Sequence, residues 1–421
     1  MLEIIPSTDV DATVQLPGSK YIANRLIPMC ALASTASKLT NIVDNDDIQA
    51  AIAGLSALDY QLELEDGCLD IQPRKEALSK AASMNTAHSG TFSRFVVAIA
   101  ALESVEVTVN CSEKMATRPM KELFSALSSL GVSIQSNHQK LPAVITGPII
   151  QKHCELDAGR SSQFLSALLI VAPLTEHGLD IRLIGNQVSN SYVDMTRHWM
   201  SLMGIDIHQK DKHLIIESGQ SYQGISVNVP GDAVSASYFM GLVAIAKGKI
   251  CIKSFDHDSL QGESKFYQVL EKMGMRFEKG TDDIIAICDS QLKGIEVDMG
   301  EMPDVVQTLA VIASFAKGKT KITNIAHLAY KESNRIKDTA TELTKAGVDV
   351  EFGEDYLMIE GGKPTSAVIE TYDDHRMAMS MALLGAKTAG IRIKDPKVVN
   401  KSFPNYWKLV AQCGLNSQSI S

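Results

Sequence analysis

Read by the spacing of its apolar positions, the chain repeats one pattern six times. Each copy runs from a polar or Gly/Pro turn through an Ala/Leu/Ser-rich stretch that predicts a helix. A Gly or polar break and a β-branched stretch that predicts a strand complete it. The pattern starts in LPGSKYIANRLIPMCALASTASKLTNIV and returns as HSGTFSRFVVAIAALESVEVTVN, GRSSQFLSALLIVAPLTEHGLDIRLI, VPGDAVSASYFMGLVAIAKGKICIKS, MPDVVQTLAVIASFAKGKTKITNI and DDHRMAMSMALLGAKTAGIRIKD. With Gly18, Gly90, Gly159, Gly231, Pro303 and Asp374 as markers, the steps are 72, 69, 72, 72 and 71 residues, so six units account for the whole chain. A second helix-to-strand junction keeps the same beat at Gly131, Gly204, Gly274 and Gly347, with steps of 73, 70 and 73. Each unit is therefore expected to hold two helices and several strands. The first helix is so apolar, as in FVVAIAAL and LAVIASFA, that it must be buried on nearly all sides.

The units fall into two sets of three. VQLPGSK and VNVPGDA, whose glycines lie 213 residues apart, open the first and fourth units. This predicts two similar domains, 19–229 and 1–18 plus 230–421, with chain crossings that form a hinge near 17–20 and 228–232.

Composition narrows the function. The 421 residues are 45% hydrophobic and 21% charged, an ordinary globular balance that excludes disordered, collagen-like and disulfide-scaffold classes. A formal charge of -9 repels nucleic acid and anionic membrane, so any anionic ligand must meet a local cluster of cations. The seven cysteines are odd in number, scattered and never spaced as CxxC, which points to a reducing, cytoplasmic setting. No apolar run approaches a bilayer span, MLEIIPSTDVDATV does not read as a signal peptide, and no HExxH occurs. Neither metal nor cofactor is expected, and the chain is expected as a monomer.

Candidate chemistry sits where the buried helices begin: Ser19-Lys20, His88 to Thr91, Ser161-Ser162-Gln163, Asp232, Asp304 and Asp374-His375-Arg376. First-turn amides are unpaired and carry positive dipole charge, so helix starts gathered on one cleft attract anions. Taken singly, a Ser, Asp or Thr there is more often an N-cap. Cations recur beside the same turns, namely Lys20, Arg25, Arg94, Arg118, Lys331, Arg335, Arg376 and Lys401. Arginines in such apolar surroundings imply carboxylate or phosphate partners. LPGSK is not GxxxxGK[ST], and no GxGxxG follows a strand, which argues against nucleoside triphosphates and dinucleotides.

These residues resemble one family, 5-enolpyruvylshikimate-3-phosphate synthase, the 3-phosphoshikimate 1-carboxyvinyltransferases. The resemblance covers the whole chain and rests on LPGSKxxxNR, SGTxxR, TRPM, SSQFLSALL, SxSYVDMT, GDAVSASYF, MPD, KESNRIKDTATEL, TYDDHRMAM and DPKVVNKSFPNYW, in that order. It implies a two-domain inside-out α/β barrel of six βαβαββ repeats, three per domain. It also implies transfer of the carboxyvinyl group of phosphoenolpyruvate to the 5-hydroxyl of shikimate 3-phosphate, with release of phosphate through a tetrahedral intermediate. Such chemistry needs a base for the hydroxyl and a proton carrier for the alkene carbon. The resemblance places Asp304 as base and Glu332 as proton carrier, with Lys20 competing for the second role. It assigns phosphoenolpyruvate binding to Lys20, Gly90, Arg118, Gln163, Arg335, Arg376 and Lys401. Acceptor binding falls to Tyr21, Arg25, Ser161, Ser162, Gln163, Ser189, Asp304, His327 and Lys331.

The acceptor side departs from the family pattern. Tyr21 replaces a Ser, His327 an Asn or similar residue, Ala329 an Arg, Asn334 an Asp and Asp373 an Asn, while His88-Ser89 stands for Asn-Ala. The ring of Tyr21 adds volume against the expected acceptor, so a paralogous transferase acting on another anionic cyclic alcohol is the alternative. The peptidoglycan enzyme of the same fold is disfavoured, because its loop cysteine would fall at Glu113. A merely anion-binding module would have lost Asp304 and Glu332.

Overall fold

The computed structural model describes residues 1–7, 10–157, 159, 161–185 and 190–420. The chain forms two compact units, Gly18–Val229 and Met1–Pro17 with Pro230–Ser421. Among the described residues each contains three four-stranded sheets, and in each sheet one edge strand pairs in parallel while the other pairings are antiparallel. In three of these sheets, those begun by Ala82–Asn85, His153–Asp157 and Glu296–Asp298, the first strand leads through a buried helix to its parallel neighbour, and a second helix then leads to an antiparallel pair. The result is the inside-out α/β arrangement, with helices at the core of each unit and sheets outside them.

Burial shows why the apolar stretches became inner helices. All fourteen residues of Ala233–Ala246 are buried, as are all of Val306–Ala313 and His375–Ala382. Gly90–Ala100 and Ser162–Val171 each leave one residue outside the buried set. In Lys20–Ala31 only Lys20 and Tyr21 fall outside it, at the helix start. Such helices have no polar face to offer water, so they are stable only with neighbours on every side. Some of their hydroxyls link one inner helix to the next. In the second unit Thr308 Oγ1 lies 3.4 Å from Ser237 Oγ and 3.1 Å from Ser380 Oγ, linking positions 71 and 72 residues apart.

The junction glycines have a backbone reason. Gly274 ends the helix Phe266–Met273 with φ +114°, and Gly131, Gly204 and Gly347 share that left-handed geometry. Without a Cβ the chain reverses there at no steric cost and satisfies the last helical carbonyls.

The chain's route explains the two Pro-Gly turns. Strand Val10–Gln15 pairs in parallel with Gly248–Lys253, from Gly248↔Val10 to Lys253↔Gln15. The whole of Gly18–Val229 is thus inserted between two adjacent strands of one sheet. Conversely Ser226–Asn228, at the end of the inserted unit, pairs in parallel with Ser37–Thr40 near its start. The last sheet of the second unit is completed from both ends of the chain, with Leu2–Ile4 between Ile391–Ile393 and Ser417–Ser419. Among the described residues no helix is long and apolar enough to cross a membrane.

Candidate active site residues

In the second unit one buried arginine organises the site. Arg335 opens the helix Arg335–Lys345 and is 2% exposed. Its Nη1 donates to Asp304 Oδ1 at 2.7 Å, its Nη2 to Glu332 Oε2 at 2.9 Å, and its Nε to Asp374 Oδ2 at 2.8 Å. Burial opposes the charge, but Asp374, Glu332 and Asp304 outweigh it and hold the guanidinium above its ordinary pKa. Lys401 Nζ donates to the other Glu332 oxygen at 3.0 Å. Lys331 Nζ lies 3.9 Å from Asp304 Oδ1, and Arg376 Nη2 lies 3.6 Å from Asp304 Oδ2. The sequence-selected Asp304, Lys331, Glu332, Arg335, Arg376 and Lys401 thus form one network of charge-assisted contacts.

Local structure decides what each group is available to do. Asp304 lies within the 3₁₀ turn Pro303–Val305, and its backbone N–H donates to Glu263 Oε1 at 3.3 Å. Three cations surround it, Lys331, Arg335 and Arg376. Asp374 acts as an N-cap, accepting from Arg376 N at 2.9 Å. Its carboxylate therefore serves the helix His375–Ala382 and Arg335 together. Ser161 and Asp232 also act as N-caps, for Gln163 N and for Val234 and Ser235 N. His327 flanks the network, and burial together with the charge of Lys331 pulls its ring down to about 4. It is therefore a neutral imidazole near pH 7.

In the inserted unit a different chemistry surrounds Gly90. A Cβ on Gly90 would overlap Arg118 Nη1 and come within 2.9 Å of Arg94 Nη1. The glycine lets two guanidinium groups close on one helix start. Arg94, 2% exposed, donates to Gly90 O at 2.6 Å and Gln163 Oε1 at 2.9 Å, with its guanidinium over the Phe164 ring. Gln163 Nε2 in turn donates to Thr91 Oγ1 at 3.0 Å. Gly90, Arg118 and Gln163 are brought together around Arg94.

Lys20, Tyr21 and Arg25 form a further set in that unit. Lys20 Nζ pairs with Asp47 Oδ2 at 3.0 Å, both side chains being largely buried. Its ammonium lies 5.5 Å from the Tyr21 ring centroid, and that ring packs at 5.3 Å on Tyr192. Arg25 is 1% exposed and donates to Thr196 Oγ1 and to Tyr21 O, both at 2.8 Å. Burial lowers its pKa to about 10, which leaves it charged at neutral pH. Ser162 is buried behind the Ser161 cap. Ser189 lies outside the described residues.

The sequence offers Arg94 and Asp374 as candidates without giving either a role, and it passes over Tyr238 and Asp47. The first three had a signal. Arg94 sits in an otherwise apolar helix, Asp374 precedes a buried one, and Tyr238 lies on a helix buried on every side, where its hydroxyl must find a partner. That partner is Arg376 Nη1 at 2.7 Å, and burial pushes the phenol up to about 12. Asp47 reads as an ordinary acid in a first helical turn.

Residues 4–409 match the family described as EPSP synthase (3-phosphoshikimate 1-carboxyvinyltransferase). The 3-phosphoshikimate 1-carboxyvinyltransferase of Vibrio atlanticus strain LGP32 is 38% identical over 416 residues, covering 96% of this chain and 97% of its own. The enzyme of that name from Yersinia pestis bv. Antiqua strain Angola is 37% identical over 420 residues and 98% of each chain. A solved EPSP synthase from Acinetobacter baumannii has the same fold, with a TM-score of 0.81 over 99% of both chains at 24% identity.

Proposed function

The chain belongs to the EPSP synthase family, and from that membership we propose how its own residues carry out the reaction. It transfers the carboxyvinyl group of phosphoenolpyruvate to the 5-hydroxyl of shikimate 3-phosphate and releases phosphate. In the addition step a proton reaches the methylene carbon while the deprotonated hydroxyl bonds to the adjacent carbon. In the elimination step phosphate leaves and a proton returns from the new methyl group, restoring the double bond. The names of the relatives favour this acceptor over another anionic cyclic alcohol.

Asp304 is assigned as the base at the acceptor hydroxyl, and Glu332 as the proton carrier at the methylene, with Lys20 the second candidate for that proton. Phosphoenolpyruvate binding is assigned to Lys20, Gly90, Arg118, Gln163, Arg335, Arg376 and Lys401. Acceptor binding is assigned to Tyr21, Arg25, Ser161, Ser162, Gln163, Ser189, Asp304, His327 and Lys331. One observation carries the division of roles. Buried Arg335 holds Asp304 and Glu332 at 2.7 and 2.9 Å, so two carboxylates of distinct environment share one fixed frame. Asp304 meets Lys331 and Arg376 besides, whereas Glu332 meets Lys401. Seven unpaired cysteines fit a reducing, cytoplasmic setting for the reaction.

The test is phosphate release from phosphoenolpyruvate by the pure, folded protein with and without shikimate 3-phosphate. Turnover that requires the acceptor is expected. A folded protein that gives none, and that binds no shikimate 3-phosphate in a calorimetric titration, overturns the reading.

A further inference from the structure

We propose that Glu342 is a positioning residue, which anchors the turn at residues 371–374 so that the Asp374 carboxylate is aimed at Arg335. The observation that prompts this is backbone geometry. Tyr372 and Asp373, both with side chains, have φ of +53° each, immediately before Asp374. Left-handed geometry at consecutive non-glycine residues is unfavourable and persists only where surroundings impose it.

Glu342 imposes it. Its carboxylate is fully buried and accepts three hydrogen bonds. Tyr372 OH donates to Oε1 at 2.5 Å, Glu370 N to Oε2 at 3.1 Å, and Lys345 Nζ to Oε1 at 2.7 Å. A buried carboxylate is costly unless it is satisfied in this way, and nothing in the proposed reaction uses it. Two of its three donors belong to the segment that leads into the turn. Asp374 N then closes the turn on Thr371 O at 2.8 Å.

The helix Arg335–Lys345 therefore grips this segment twice. Arg335 holds Asp374 at one end, and Glu342, seven residues and about 10 Å further along the helix, holds Glu370 and Tyr372 at the other. Loosening the second grip lets the turn relax toward ordinary φ, which swings Asp374 off Arg335. The guanidinium then loses the partner that fixes its direction. The expected consequence falls on phosphoenolpyruvate, the substrate assigned to Arg335 and Arg376, and this part rests on the function proposed above.

The experiment compares Tyr372→Phe, Glu342→Gln and Glu342→Leu with the unaltered enzyme, reading KM for each substrate, kcat, melting temperature, and amide hydrogen exchange at residues 370–376. Tyr372→Phe removes one hydroxyl and no packing, so it keeps the test readable if Glu342→Leu fails to fold. The expected results for Tyr372→Phe are a KM for phosphoenolpyruvate raised three- to tenfold, a KM for the acceptor within twofold, and exchange at 370–376 accelerated at least tenfold. Glu342→Gln, which keeps an acceptor oxygen for the phenol, recovers most of the loss seen in Glu342→Leu. A lowered melting temperature with both KM values and local exchange unchanged overturns the proposal, as does a parallel rise in both KM values. If the unaltered enzyme shows no turnover, the functional reading fails, and the exchange measurement alone then decides for or against the anchor.

Discussion

Arg335 and Arg94 are both about 2% exposed and both lie in the opening turns of a helix, yet their partners differ in kind. Arg335 donates to three carboxylates, whereas Arg94 donates at 2.6 and 2.9 Å to a backbone carbonyl and a side-chain amide. A guanidinium shared among carboxylates orients them and neutralises their mutual repulsion. The carbonyl and the amide that Arg94 meets fix its direction against the helix start marked by Gly90. The first arrangement fixes Asp304 and Glu332 in one frame, and the second gathers Arg94 and Arg118 at the helix start marked by Gly90.

The sharpest break in this contrast is Asp304→Ala. If its carboxylate takes the hydroxyl proton, phosphate release should fall by about 10²–10⁴, while affinity for phosphoenolpyruvate, measured calorimetrically, stays within a few fold. Turnover near the original rate would remove the base from Asp304. Gly90→Ala should act on the other side. Its new Cβ must displace Arg118 and crowd Arg94, so the KM for phosphoenolpyruvate should rise about tenfold, equivalent to about 1.4 kcal/mol, with kcat changed less. A rise in the acceptor KM alone would contradict the assignment of that helix start.

The smallest effect is expected at His327, which the charges of Lys331, Asp304, Asp355 and Glu301 surround. Its folded pKa near 4 lies below its ordinary 6.5, so between these values the unfolded chain binds more protons than the folded one. The stability gained from a neutral ring is therefore present above pH 6.5 and is lost as the pH falls to 4. His327→Asn should flatten the denaturation midpoint in that window and leave it unchanged above pH 7. A variant that follows the same curve would place the low-pH loss elsewhere.

How much of this was legible in advance depended on whether the signal was local. Arg376 stands out because a permanent charge in a buried helix requires a partner, and Arg335 by its place in KESNRIKDTATEL. Which carboxylates answer them did not, since Asp304 and Asp374 reach Arg335 across 31 and 39 residues. Lys20 was visible as a cation beside a turn, but Asp47, 27 residues away, was one acid among three polar residues at a helix start. Tyr21 was legible as added volume beside the expected acceptor, but its packing at 5.3 Å on Tyr192 was not. Glu342 gave no signal at all, because a Glu in a helix is ordinary until its burial is known.

Repetition and apolar character settled the six units and the burial of their first helices, because a helix without a polar face has no stable place except a core. The junction glycines were equally determined, since reversal at a helix end calls for left-handed backbone. Tertiary structure alone decided that Leu2–Ile4 closes a sheet with Ser417–Ser419, that one arginine gathers three carboxylates, and that Glu342 braces a strained turn. Those contacts depend on distances between residues far apart in the chain, and distance is set only when the helices and sheets pack.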